Sequence, residues 1–74
     1  MYCSIIDNRV EVREDDGRTV RRLIGFRGPI ESAYMSGPDK VVITYTDTAN
    51  NLSPHPRYTE LWDVSGRMIR RTRC

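Results

Sequence analysis

The chain writes one hairpin pattern twice, and that constrains it to an all-β fold more than any other feature. Residues 9–22 read RVEVREDDGRTVRR and residues 58–71 read YTELWDVSGRMIRR. Aligned without a gap, Glu11 falls on Glu60, Gly17 on Gly66, Arg18 on Arg67, and Arg21-Arg22 on Arg70-Arg71, an offset of 49 residues. Val10, Val12 and Val20 fall on Thr59, Leu61 and Ile69, so the strand-favouring positions coincide as well. Each copy is an alternating run, a turn centred on glycine, and a second extended run ending in paired arginines. Alternation at period two suits a half-buried strand. Glycine supplies the positive φ that a short hairpin loop requires. Self-similarity at a fixed spacing marks repeat architectures.

The rest of the chain fits the same class. Tyr2 to Ile6 is a short strand-like run closed by Asp7-Asn8, a turn pair. Gly25, Gly28 and Pro29 interrupt after Ile24. Ile30 to Met35 contains Glu31, Ala33 and Met35, which favour helix, but Ser36-Gly37-Pro38-Asp39 stops it too soon, so a strand is expected. Lys40 to Thr46 is the strongest strand signal, with Val41, Val42, Ile43, Thr44 and Tyr45 all β-branched or aromatic. Asp47 to Arg57, with Asn50, Asn51, Pro54 and Pro56, reads as a long loop that no ladder can cross. The expectation is a single small domain over residues 1–74, with about seven short antiparallel strands in a meander. It forms either a blade-like sheet or a small barrel. The inward positions are expected to include Val10, Val12, Val20, Val41, Ile43, Leu61 and Ile69.

Seventy-four residues limit what such a fold can bury. A domain of this size removes only about 60% of its unfolded surface from water, and such chains usually recruit a disulfide, a metal or a partner subunit. Cys3 and Cys74 lie near the two ends. The first apolar run ends at Asp7-Asn8, unlike a signal peptide. No apolar stretch approaches the roughly 18 residues of a membrane helix. The expected setting is therefore the cytoplasm, away from membranes, with both thiols reduced. A bond between Cys3 and Cys74 stays open, because joining the ends would close nearly the whole chain. No Cys-x-x-Cys or paired-histidine spacing exists, so no metal or other cofactor is expected.

Polar residues narrow the function classes. The net charge is +2, carried by eleven arginines and one lysine, Lys40. No acidic side chain follows Asp63, which leaves Arg67, Arg70, Arg71 and Arg73 as the one unbalanced basic segment. The repeated arginine pairs carry two readings. They bind phosphate or an acidic surface, or they pair across each hairpin with Glu11 and Glu60. Trp62 follows Leu61 and so points to the opposite face of its strand. It is either an interface anchor or core. His55, between two prolines, is the only histidine, and nothing marks a nucleophile or carboxylate as its partner. An enzyme is not expected.

The stretch from Ile30 to Arg71 resembles one blade of a β-propeller of the WD-repeat kind. Ser36-Gly37-Pro38-Asp39 precedes a strong strand, Thr46-Asp47 follows it, and Leu61-Trp62-Asp63 ends the third strand. Residues 2–24 are similar to the last three strands of a preceding blade, with Arg13-Glu14 where Trp-Asp would stand. The family's Gly-His pair is absent, and His55 lies in a different loop. The resemblance implies four-stranded antiparallel blades and, with fewer than two of them, assembly with other copies.

The leading functional expectation is a self-associating interaction module, a homo-oligomer open to a protein partner and without catalytic activity. The alternative is a nucleic-acid-binding module using Tyr58, Trp62, Arg67, Arg70, Arg71 and Arg73, where phosphate contacts and aromatic stacking would serve a single strand.

Overall fold

A computed structural model describes residues 1–49 and 54–74. Asn50 and Asn51, two of the loop residues singled out above, lie outside the described residues. The fold is all-β, with seven antiparallel strands and no helix among the described residues. β1 (Tyr2–Ile6), β2 (Arg9–Arg13) and β3 (Thr19–Leu23) form sheet A in the order β1-β2-β3. β4 (Ile30–Met35), β5 (Lys40–Thr46), β6 (Arg57–Asp63) and β7 (Met68–Arg73) form sheet B in the order β4-β5-β6-β7. Within each sheet every strand pairs with its sequence neighbours, so each sheet is a meander, and the pairing breaks between β3 and β4. The sheets do not close, and the barrel alternative is corrected to two open sheets packed face to face.

Local chemistry sets the turns. Asp7 and Asn8 both have positive φ, 50° and 55°, and form the two-residue loop whose twist matches its flanking strands. The two similar hairpins close in the same way. In the first, Glu14 N–H donates to the Arg18 carbonyl and Gly17 N–H to the Glu14 carbonyl, both at 2.9 Å. In the second, Asp63 N–H donates to Arg67 at 2.8 Å and Gly66 N–H to Asp63 at 2.9 Å. Gly17 and Gly66 sit at φ 90° and 99°, where any other residue would be strained.

The ladders match beyond the turns. Glu11 pairs with Arg22 and Val12 with Arg21; Glu60 pairs with Arg71 and Leu61 with Arg70. A shift of register then falls between Val12 and Arg13 in one ladder and between Leu61 and Trp62 in the other. The residues left without a partner are Val20 and Ile69. Both are exposed, at 39% and 42%, which corrects their expected inward placement. A bulge breaks the alternation on which that expectation rested.

The core lies between the sheets. Val10, Val12 and Leu23 of sheet A pack against Val41 and Ile43 of sheet B. Cys3, Ala33, Met35 and Trp62 close around them. Leu61, also expected inside, is half-buried on the outer face of sheet B, in register with Val42. Its neighbour Trp62 takes the inner face. Both Leu61 and Trp62 are apolar, so the pattern alone favoured the wrong one.

The segment crossing between the sheets is held from both sides. Asn8 Nδ2 donates to the Gly28 carbonyl at 2.8 Å, and its Oδ1 accepts from Ile30 N–H at 2.9 Å. Thr46 N–H donates to Pro29 at 3.1 Å and Thr48 N–H to Arg27 at 3.0 Å. A Cβ on Gly28 would lie 1.8 Å from the Thr46 carbonyl oxygen, so only glycine fits there.

Candidate interaction site

Glu60 is the polar centre of the inner face. It pairs across β5 with Ile43 and is 2% exposed. Three donors converge on its carboxylate. Tyr45 Oη donates to Oε2 at 2.5 Å, Trp62 Nε1 to Oε1 at 2.8 Å, and Arg71 Nε to Oε2 at 2.9 Å. A buried carboxylate is tolerated when charge and hydrogen bonds satisfy it, and this one is satisfied by one cation and two neutral donors. Burial, reinforced by the bond to Glu60, pushes the Tyr45 hydroxyl up to about 12. Glu60 in turn raises Arg71 above the ordinary arginine value.

An aromatic shell surrounds this centre. Phe26, from the crossing segment, meets Tyr45 edge-on at 5.3 Å and Trp62 at 6.0 Å between ring centroids. Tyr58 lies 5.9 Å from Tyr45, and the Arg71 guanidinium stands 5.3 Å above the Tyr58 ring. A cleft of about 220 Å³ opens beside them, flanked by Phe26, Trp62, Met68 and Arg71. That is below the roughly 300 Å³ at which pockets for drug-sized ligands begin. The carboxylate is committed to its three donors.

The same position in the first hairpin is built differently. Glu11 alternates with the core residues Val10 and Val12 and therefore faces away from sheet B. It is nonetheless 3% exposed, because its own arginines cover it. Arg9 Nε lies 3.1 Å from Oε2, Arg13 Nη2 lies 2.7 Å from Oε1, and Arg22 Nε lies 3.6 Å from Oε2. Burial opposes ionisation of Glu11, but the bonds from Arg9 and Arg13 outweigh it and hold the carboxyl below the usual range. The cross-strand reading of the arginine pairs is therefore realised in both hairpins, Glu11 with Arg22 and Glu60 with Arg71.

The six residues expected to form a binding surface do not share one. Tyr58, Trp62 and Arg71 sit on the inner face around Glu60, and Tyr58 and Trp62 are half-buried. Arg73 pairs in register with Tyr58 at the exposed end of β7. Arg70 lies on the outer face opposite Leu61. Arg67 is in the β6–β7 turn. Tyr45 and Phe26 also belong to the cluster, outside those six; Tyr45, which the sequence also offered with Trp62 as the centre of an exposed self-contact face, is instead buried. Tyr45 ends a strong strand, and Phe26 stands between glycines where no periodicity marks a facing. His55 is exposed. Cys3 and Cys74 are both free; Cys3 is half-buried against the core, and burial raises its thiol. Cys74 Sγ lies 3.4 Å from Thr59 Oγ1. No group of three metal-binding side chains gathers among the described residues. No helix among them is long and apolar enough to cross a membrane.

No family model, curated protein or solved structure matches the chain.

Proposed function

We propose that this chain is a small self-associating interaction module without catalytic activity. One observation carries the reading. Among the described residues, eight large hydrophobic side chains are exposed while only six hydrophobic residues are buried. Scattered apolar residues are ordinary on a large protein. In a chain with a core this thin they mark surface that another molecule covers. Tyr2 and Ile5 are both on β1, and Ile24 and Met68 flank the cleft beside Trp62. The arrangement of the basic residues supports this reading over nucleic-acid binding. A stacking platform needs open aromatic rings beside free cations, whereas Trp62 and Arg71 are bonded to Glu60 and Arg70 lies on the other face. The blade-like resemblance agrees with assembly, since two sheets are too few to form a ring alone. The test is molar mass by light scattering across a dilution series at micromolar concentration. A multiple of 8.6 kDa that falls on dilution is expected. A strict monomer throughout would sink the reading.

A further inference from the structure

The cleft beside the Glu60 cluster holds uncommitted hydrogen-bond donors and no free carboxylate. Both oxygens of Glu60 are taken, Oε1 by Trp62 and Oε2 by Tyr45 and Arg71. A guanidinium carries five N–H donors. Arg71 commits its Nε to Glu60 and stands over the Tyr58 ring, so it is fixed from two sides while half of its side chain stays exposed. Arg27 lines the same cleft and is held more loosely. The acidic group paired with it among the described residues is Asp47, at 3.9 Å, too far for a hydrogen bond. Asp47 Oδ1 already accepts from Ala49 N–H at 3.0 Å. Much of the remaining lining is apolar. Phe26 and Trp62 stand at 57° to each other, and Ile24 and Met68, both exposed, rim the opening.

We propose that this cleft binds a small apolar monocarboxylate, with its acid group on Arg27 and Arg71 and its body against Phe26 and Trp62. The inference goes beyond self-association and does not depend on it. Size sets the ligand's bulk. The cleft of about 220 Å³ has room for on the order of seven waters, which suits one ring and an acid group. Charge sets the ligand's sign. Arg27 and Arg71 against Glu60 leave one positive charge among the lining residues, which a monoanion balances. A cationic ligand would meet two guanidinium groups and a carboxylate already satisfied. The place a cation could take over an aromatic ring, beside Glu60, is filled by Arg71 on Tyr58. A carboxylate, by contrast, matches the planar fork of donors that an arginine presents. Small-molecule sites commonly take this form, an apolar concavity with a few placed polar groups. Glu60 also fixes Arg71 in advance, so less side-chain freedom is lost when a ligand binds there. Arg27 exchanges its long contact with Asp47 for a bond to the ligand.

Trp62 is the only tryptophan of the chain and lines the cleft, so its emission reads occupancy directly. Four probes separate the parts of the ligand. Benzoate carries ring and charge, benzyl alcohol the ring alone, acetate the charge alone, and benzylammonium the ring with the opposite charge. Benzoate should change Trp62 emission saturably at low salt. It should bind about tenfold more tightly than benzyl alcohol or acetate, the worth of one hydrogen bond to a charged group. Benzylammonium should bind more weakly than benzyl alcohol. Arg27→Gln keeps the backbone carbonyl that accepts from Thr48 N–H. It should weaken benzoate about fivefold, the upper end for an exposed ion pair, and leave benzyl alcohol unchanged. Met68→Glu sets an anion at the rim and should weaken benzoate further. No saturable change with benzoate overturns the proposal, as does equal affinity for benzoate and either benzyl alcohol or acetate. Tighter binding of benzylammonium than of benzoate also overturns it. Benzoate affinity unchanged in either folded variant does the same, and the four probes on the wild type decide alone if neither variant folds. Molar mass tests self-association separately, so either idea can fail while the other stands.

Discussion

Hairpins 9–22 and 58–71 share register, bulge and turn bonds, yet they present opposite faces to the core. In the first, Val10 and Val12 face inward and Glu11 outward. In the second, Glu60 and Trp62 face inward while Thr59 and Leu61 face outward. Local sequence therefore determines the hairpin, because the glycine turn and the paired arginines fix which residues stand opposite each other. What each face meets is decided elsewhere. The carboxylate turned outward is wrapped by three arginines, and the one turned inward is held by one arginine and two neutral donors. One glutamate position thus supports two environments, provided the side chains around it change with the face.

The comparison can be broken at three points. Ile43 and Ser4 occupy corresponding places, each opposite the glutamate of its hairpin. Ile43→Ala should cost about 2–4 kcal/mol, the usual range for a fully buried aliphatic residue. Ser4→Ala should stay within about 0.5 kcal/mol. Denaturant unfolding of both measures the gap, and equal losses would show that the two faces are not distinct.

The arginines come next. Arg71→Ala leaves Glu60 buried with only Tyr45 and Trp62 as donors. Losing one partner of a fully buried pair costs about 3–5 kcal/mol, but Arg71 is half exposed and water can replace it, so about 2 kcal/mol is expected. Arg22→Ala should lower the thermal midpoint far less, because Arg9 and Arg13 still hold Glu11. A larger fall for Arg22→Ala would reverse the assignment of inner and outer carboxylates.

The smallest effect is in pH dependence. Tyr45 stays protonated in the folded chain up to about 12, above its ordinary 10.0, because burial and then Glu60 disfavour its anion. The folded state therefore keeps a proton that the unfolded chain loses. The contribution is fully present below pH 10 and declines as pH rises to about 12. Glu11 titrates the other way. Its folded value lies below the usual one, so its contribution is present above the ordinary carboxylate range and is lost as pH falls through the folded value. Stability measured against pH should lose part of its alkaline slope in Tyr45→Phe, the rest coming from groups such as Lys40 that are also raised, and part of its acid slope in Glu11→Gln. Unchanged slopes would show that neither environment perturbs its group.

Much of this fold was legible in the residues. The alternation of Val10 and Val12, the β-branched run from Val41 to Thr44, and the glycines of the repeated turns placed β2, β3, β5, β6 and β7, and the short runs closed by Asp7-Asn8 and by Ser36-Gly37-Pro38-Asp39 placed β1 and β4. The cross-strand partners of Glu11 and Glu60 followed from the repeat. The facing of Val20 and Ile69 did not, because a bulge leaves no mark in a period-two pattern. The choice between Leu61 and Trp62 was hidden because adjacent apolar residues let either face be the inner one. The Glu60 cluster was only half visible. Trp62 and Arg71 stood out, but Phe26 reaches it through the connecting segment, where neither period applies.

The clamp around Gly28 bears on how the molecule moves. Two sheets joined by a short segment rich in glycine would ordinarily bend about it, and glycine at a junction invites the inference of a hinge. Here Asn8 grips the segment from sheet A's first turn while Thr46 and Thr48 hold it from the end of β5. Bending there would break several hydrogen bonds at once and separate Val10 and Val12 from Ile43. These bonds brace the two sheets against bending at the joint. The slow openings that expose the interior begin at the outer strands, where fewer contacts must be lost. The joint between the two sheets is a brace and not a hinge.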